Sequence, residues 1–220
     1  GSTPEAAAII DSLYASVLTH GTYRAKSIKI AEACKLMENC QRDIQIAFFN
    51  EMEKIFDKMN INIEDVTAAA STKWNFVPAT PGLVGGHCIA VDPWFIVAQN
   101  PQQARLIRTA REVNDHKPEW VIDQVKARVA DCLAASNKRA SELKIACFGL
   151  AFKPNIDDLR ESPAMAIAAQ IAVGRALGGE VRTHEPVLAV TPLGNGDTVE
   201  VRTAHGRYTT NQVVVAAGPW

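Results

Sequence analysis

The chain has 220 residues, 47% hydrophobic and 21% charged, the balance of a folded globular protein with room for one large or two ordinary domains. Its 23 basic and 24 acidic residues leave a formal charge of −1, which gives neither the electrostatic footprint of a nucleic-acid binder nor the polybasic patch of a membrane-surface protein. The five cysteines, Cys34, Cys40, Cys88, Cys132 and Cys147, contain no C-x-x-C pair and argue against a disulfide framework or a zinc knuckle; with no apolar run of bilayer length and no signal-like start, the expectation is a cytoplasmic protein without a metal.

In chain order, the first strong pattern is helical. Between Lys26 and about Met59, Ile30, Cys34, Met37, Ile44, Phe48, Ile55 and Met59 recur on one stripe, with no proline or glycine between. That predicts one helix of ~33 residues, ~50 Å long, a spine suited to packing another subunit. Leu36, Ile46, Phe49 and Phe56 form a second apolar set, so burial on more than one side is expected. Asn62 and Asp65 read as the cap of a short helix to about Ser71. Residues 72–92 hold Pro78, Pro81, Gly82, Gly85 and Gly86 without a period and predict a loop of ~20 residues, long enough to suggest function.

Helical spacing returns over residues 101–115 and from Pro118 to Ala135, where Ile122, Val125, Val129, Cys132 and Leu133 line up. The polar run ASNKRASE marks a boundary, dividing the chain into residues 1–137 and 138–220. Beyond it, residues 143–150 read as a buried strand, Ser162 and Pro163 open the helix AMAIAAQIAVGRAL, and GEVRT reads as another strand, which together make a βαβ unit. From about residue 174 the character changes, and the alternation around GNGD and HG predicts β-hairpins. The fold class expected is α+β: a helical part with one long spine, then a Rossmann-like α/β unit ending in hairpins.

The chemistry-bearing stretch is GLVGGHCIAVDPW, residues 82–94. Gly85 and Gly86 let the backbone come close to a ligand, so Cys88 is presented rather than packed, and Asp92 follows four residues later where it can move protons. His87 reads as a hydrogen-bonding loop residue. Lys35 and Asn39 share a helix face; a solvated stripe is the simpler account, and an ammonium beside an amide also suits an oxyanion. Lys153 and Arg160 lie between strand and helix, where α/β sheets bind phosphates, although exposed loop charges explain them as well. No G-x-G-x-x-G follows a strand, so the chain offers no dinucleotide site.

Three stretches, AEACKLMENCQRDIQIAFFNE, PGLVGGHCIAVDPWF and KIACFGLAFKPNIDDLRESP, together resemble the UDP-glucose/GDP-mannose dehydrogenase family in order and spacing, closest to its branches that act on UDP-N-acetylhexosamines. The resemblance implies oxidation of the sugar C6 hydroxymethyl to a carboxylate with two NAD molecules through a Cys thioester. It implies Cys88 as nucleophile and Asp92 as assistant to the hydrolytic water, with Lys35 and Asn39 holding oxyanion and water. Gly85, Gly86, Lys153 and Arg160 would lie at the nucleotide sugar, and the long helix would pair a homodimer. The family's NAD domain does not appear, so NAD is expected for the family without a site here, and turnover by this chain alone is not expected. The tail from about residue 174, GGEVRTHEP through AAGPW, resembles FAD-dependent amine oxidases of the sarcosine oxidase type, the rest of the family's UDP-binding domain not appearing there. It suggests a composite chain without bound FAD. A non-catalytic helical scaffold, and less so a flavoprotein piece, are the other readings.

Overall fold

A computed structural model describes residues 1–137, 139, 143, 145–153, 156, 158–173, 187–194, 198–210 and 213–215. It begins with a helix that periodicity does not reveal, α1 (Pro4–Ala15). Thr3 caps it, its hydroxyl accepting from the Ala6 amide at 3.1 Å, and Pro4 takes the first helical position. No residue of α1 is buried, and Ile9, Leu13 and Tyr14 stand in solvent. A search for one dry and one wet face therefore passes over it.

The expected spine is α2 (Ile28–Lys58), 31 residues, capped by the Ser27 hydroxyl on the Ile30 amide at 3.2 Å. Within the single chain the stripe of Ile30, Cys34, Met37, Phe48, Ile55 and Met59 is exposed. The second set turns inward instead: Ile46 and Phe49 are buried beside Ala47, together with the polar Asn39, Asp43 and Asn50. A polar inward face is stable only against polar partners. They come from α5 (Arg105–Asp115), which packs on α2. Arg111 Nη1 donates to Asp43 Oδ1 at 2.6 Å, and Asn114 Nδ2 donates to the same oxygen at 2.8 Å and to the Asp43 carbonyl at 3.0 Å. Asn50 Nδ2 then donates to Asn114 Oδ1 at 2.9 Å. Burial pushes the Asp43 carboxyl above its usual range, against the pull of Arg111 and Asn114.

Asn62 caps α3 (Ile63–Ala70), its Oδ1 accepting from the Glu64 amide at 2.7 Å. The predicted loop over 72–92 ends sooner, because α4 (His87–Gln99) begins directly after Gly86. Gly86 enters it at φ 78°, a left-handed conformation that glycine reaches freely. The helical segment expected over 101–115 starts at Arg105, after a turn in which the Gln103 and Ala104 amides donate to the Asn100 carbonyl.

α6 (Lys117–Ala134) matches expectation, with Ile122 and Val125 buried. It packs on α7 (Pro163–Val173), and Leu83, Ile122, Ala164 and Ile167 form a dry cluster flanked by Val121, Cys147 and Ile171. Lys117 is buried against Glu53 with its Nζ 4.0 Å from the Trp120 ring centroid, and burial lowers its pKa.

The strand expected over 143–150 is β1 (Ala146–Phe148), three residues long. Beyond α7 come β2 (Val187–Leu193), β3 (Thr198–Thr203), β4 (Arg207–Thr210) and β5 (Val213–Val215). β5 pairs in parallel with β1, Cys147 opposite Val214, while β2, β3 and β4 form an antiparallel meander, as the hairpin pattern predicts. The Thr203 hydroxyl accepts from the His205 and Gly206 amides and closes the β3–β4 turn. The end of the predicted helix 164–177, the GEVRT strand and HEP lie outside the described residues. Among the described residues no helix is long and apolar enough to cross a membrane.

Candidate active site

Cys88 is exposed and stands in the first turn of α4, where unpaired amides favour negative charge. It is therefore presented by a helix end rather than by a loop. Asp92 lies one turn along on the same face. From α2, Asn39, 1% exposed, donates through Nδ2 to Asp92 Oδ2 at 2.8 Å. The structure thus joins Asn39 to Asp92, with Cys88 one turn before Asp92 on the same helix.

Lys35 is placed differently. Its ammonium meets Glu38 at 3.2 Å, both side chains about half exposed, and Arg42 joins the same carboxylate at 2.8 Å. Such solvent-exposed pairs are weak, so the Lys35 ammonium exchanges partners at little cost.

Gly85 and Gly86 make a close approach to this chain's own second part. A Cβ on Gly85 would come within 2.6 Å of the Glu161 carbonyl oxygen and 2.8 Å of Pro163, and one on Gly86 within 2.7 Å of the Phe152 ring. Both substitutions are sterically blocked. The stretch before α4 is fixed on its other side by Asn50, whose Nδ2 donates to the Gly82 carbonyl at 2.9 Å and whose Oδ1 accepts from the Gly82 amide at 2.8 Å.

Lys153 and Arg160 lie on the segment touching these glycines. Lys153 is exposed, its Nζ 5.8 Å from the Phe152 ring centroid. Arg160 is forked onto Asp158, Nε at 2.9 Å and Nη2 at 2.5 Å from its two oxygens. That fork, with a weaker contribution from His87, holds the Asp158 carboxyl down at about 2. The predicted phosphate loop adjoins the start of α4, where the Phe152 ring closes on Gly86.

The described residues do not fit a dinucleotide. The crossing from β1 to α7 has Gly149 at φ 78°, but Phe152 fills the space beside Gly86 and the Ser162 hydroxyl is spent on the Leu150 carbonyl at 2.5 Å. Among the described residues no group of three or more His, Cys, Asp or Glu is arranged for a metal. Sequence reasoning passed over the Asp43–Arg111–Asn114–Asn50 network. The available signal was a pair of polar rows at helical spacing, Asn39, Asp43 and Asn50 on one helix and Arg111 and Asn114 on another.

Residues 29–116 match the model of the UDP-glucose/GDP-mannose dehydrogenase family, central domain, and residues 146–220 match that family's UDP binding domain. The chain carries these two domains of the UDP-glucose/GDP-mannose dehydrogenase family. The second match overturns the expectation that the UDP-binding domain stops near residue 174, since it runs through the tail. A UDP-N-acetyl-D-mannosamine dehydrogenase of Escherichia coli is 59% identical over 87% of the chain, which covers 45% of that protein. The solved UDP-N-acetyl-mannosamine dehydrogenase from S. aureus superposes with a TM-score of 0.66 at 36% identity, over 81% of this chain and 41% of that one. The NDP-N-acetyl-D-galactosaminuronic acid dehydrogenase from Methanosarcina mazei Go1 gives a TM-score of 0.66 at 25% identity over 99% of this chain and 47% of its own. The chain thus spans less than half the length of these relatives, as a fragment does.

Proposed function

We propose that this chain is the sulfur-bearing and sugar-binding portion of a UDP-N-acetylhexosamine 6-dehydrogenase, its substrate UDP-N-acetylmannosamine or a close relative. The observation that carries the reading is the placement of Cys88 one turn from Asp92, with Asn39 bonded to the Asp92 carboxylate. In this reading the Cys88 thiolate adds to the C6 aldehyde, forming the C–S bond while the carbonyl oxygen takes the charge and then a proton. Lys35, released from Glu38, faces that oxygen. In the closing step water attacks the acyl thioester, Asp92 accepts its proton, the C–S bond breaks and the carboxylate leaves. Oxidation of thiohemiacetal to thioester belongs to the NAD chemistry that the family resemblance implies, and the described residues do not supply it. The chain alone is therefore expected not to turn over.

Lys153 and Arg160 are the cations for the diphosphate, which would displace Asp158 from the Arg160 fork. Gly85 and Gly86 serve the site by leaving room for Phe152 at the start of the helix that carries Cys88. We divide the chain at 137/138 into a helical part and a Rossmann-like part, and infer that two copies pair along the outward stripe of α2.

The test is iodoacetamide labelling of the purified chain, resolved by peptide, with Cys132 of α6, off the pairing face, as internal reference. UDP-N-acetylmannosamine is expected to slow labelling of Cys88 and leave Cys132 unchanged, with no NADH formed on adding NAD. Equal labelling with and without the sugar nucleotide would leave only the scaffold reading. NADH production abolished by Cys88→Ala would instead show a nicotinamide site in this chain.

A further inference from the structure

Pro93 lies inside α4, next to Asp92, and its nitrogen has no hydrogen for the carbonyl four residues back. That carbonyl belongs to Ile89, the neighbour of Cys88. Left alone, an internal proline loosens or kinks the preceding turn, here the turn that carries the thiol. Arg111 of α5, 1% exposed, faces this carbonyl: its Nη1 lies 3.5 Å from the Ile89 oxygen while donating to Asp43 Oδ1 at 2.6 Å, and its Nη2 meets Asp115.

We propose that Arg111 is a positioning residue for the nucleophile, its guanidinium standing in for the backbone hydrogen bond that Pro93 removes. The start of α4, from Ile89 to Asp92, is then referred to α2 twice. Asn39 grips Asp92 directly, and Asp43, one turn further along α2, reaches Ile89 through the guanidinium. Lysine cannot do this, because a single ammonium cannot face Asp43, Asp115 and the Ile89 carbonyl with the planar fork of arginine. The catalytic meaning rests on Cys88 as nucleophile, whereas the geometry does not.

Arg111→Met alone strands the buried Asp43 charge and disturbs the whole core, so the informative variant is Asp43→Asn with Arg111→Met, neutral on both sides. A third substitution, Pro93→Ala, restores the missing amide hydrogen. Amide hydrogen exchange at Val91 and Asp92 is expected to accelerate about tenfold in the double variant, with Ile122 and Val125 of α6 unchanged. Adding Pro93→Ala is expected to return most of that change. The Cys88-to-Cys132 alkylation ratio should shift and return in parallel. Unchanged exchange at Val91 and Asp92 would overturn the proposal. So would acceleration spread equally into α6 that Pro93→Ala does not rescue, since Arg111 would then be a general prop of the core. Failure of the sugar nucleotide to protect Cys88 in the parent protein would defeat the dehydrogenase reading and leave the exchange comparison standing.

Discussion

The fork between Asp158 and Arg160 yields a direct acid-range test. Hydrogen bonds from Arg160, and more weakly the charge of His87, lower the Asp158 pKa from its ordinary 3.8 to about 2. A pKa depressed in the folded state contributes stability above 3.8 that is lost as pH falls toward 2. An NMR titration of the Asp158 carboxyl carbon is expected to show its midpoint near the lower value; a midpoint at the ordinary one would mean the fork is absent in solution. Asn50 is the other decisive side chain. It serves the Gly82 amide, the Gly82 carbonyl and Asn114 at once, so Asn50→Ala is expected to cost about 2–4 kcal/mol in chemical denaturation. The Cys88–Asp92 pair was legible because a four-residue spacing behind two glycines encodes a local arrangement, whereas Asn39, 53 residues from Asp92, reads by itself as part of a solvated stripe and entered only through the family resemblance. The partners of Asp43 were not, because 68 residues separate it from Arg111 and a charged residue read in sequence looks solvated.

Among the elements, α2, α3 and α6 were readable from period and caps, whereas α4 was not. Ile89, Ala90, Val91, Pro93, Trp94, Phe95, Ile96 and Val97 are apolar all round, so no 3.6-residue rhythm appears, and Gly85, Gly86 and Pro93 read as breakers. The glycine before α4 is a structural requirement. Gly86→Ala forces a Cβ at φ 78° and within 2.7 Å of the Phe152 ring, and is expected to cost about 1–3 kcal/mol, measured by thermal unfolding. Adding Phe152→Leu should recover only the steric share, because the backbone conformation stays unfavourable.

For the whole molecule, the pairing inferred along the outward face of α2 is open to a direct test. Met37 is 74% exposed and Phe48 54%, a row that burial against a second copy would remove from water. Light scattering is expected to give a dimer, and Met37→Glu with Phe48→Glu a monomer that keeps its helical circular dichroism. A monomeric parent protein would remove the pairing. The sequence pattern showed that α2 is apolar on two sides but not which side its own chain covers, since that depends on the polar face of α5.

The seam at Gly85 and Gly86 also has a temporal side. Phe152, Glu161 and Pro163, which close around these glycines, are made well after α2 and α4. During synthesis a chain emerges N-terminus first and its early parts fold as they appear. The thiol's mount therefore stays unfinished while the ribosome is still at work, and Cys88 reaches its final setting only after the second part of the chain has arrived.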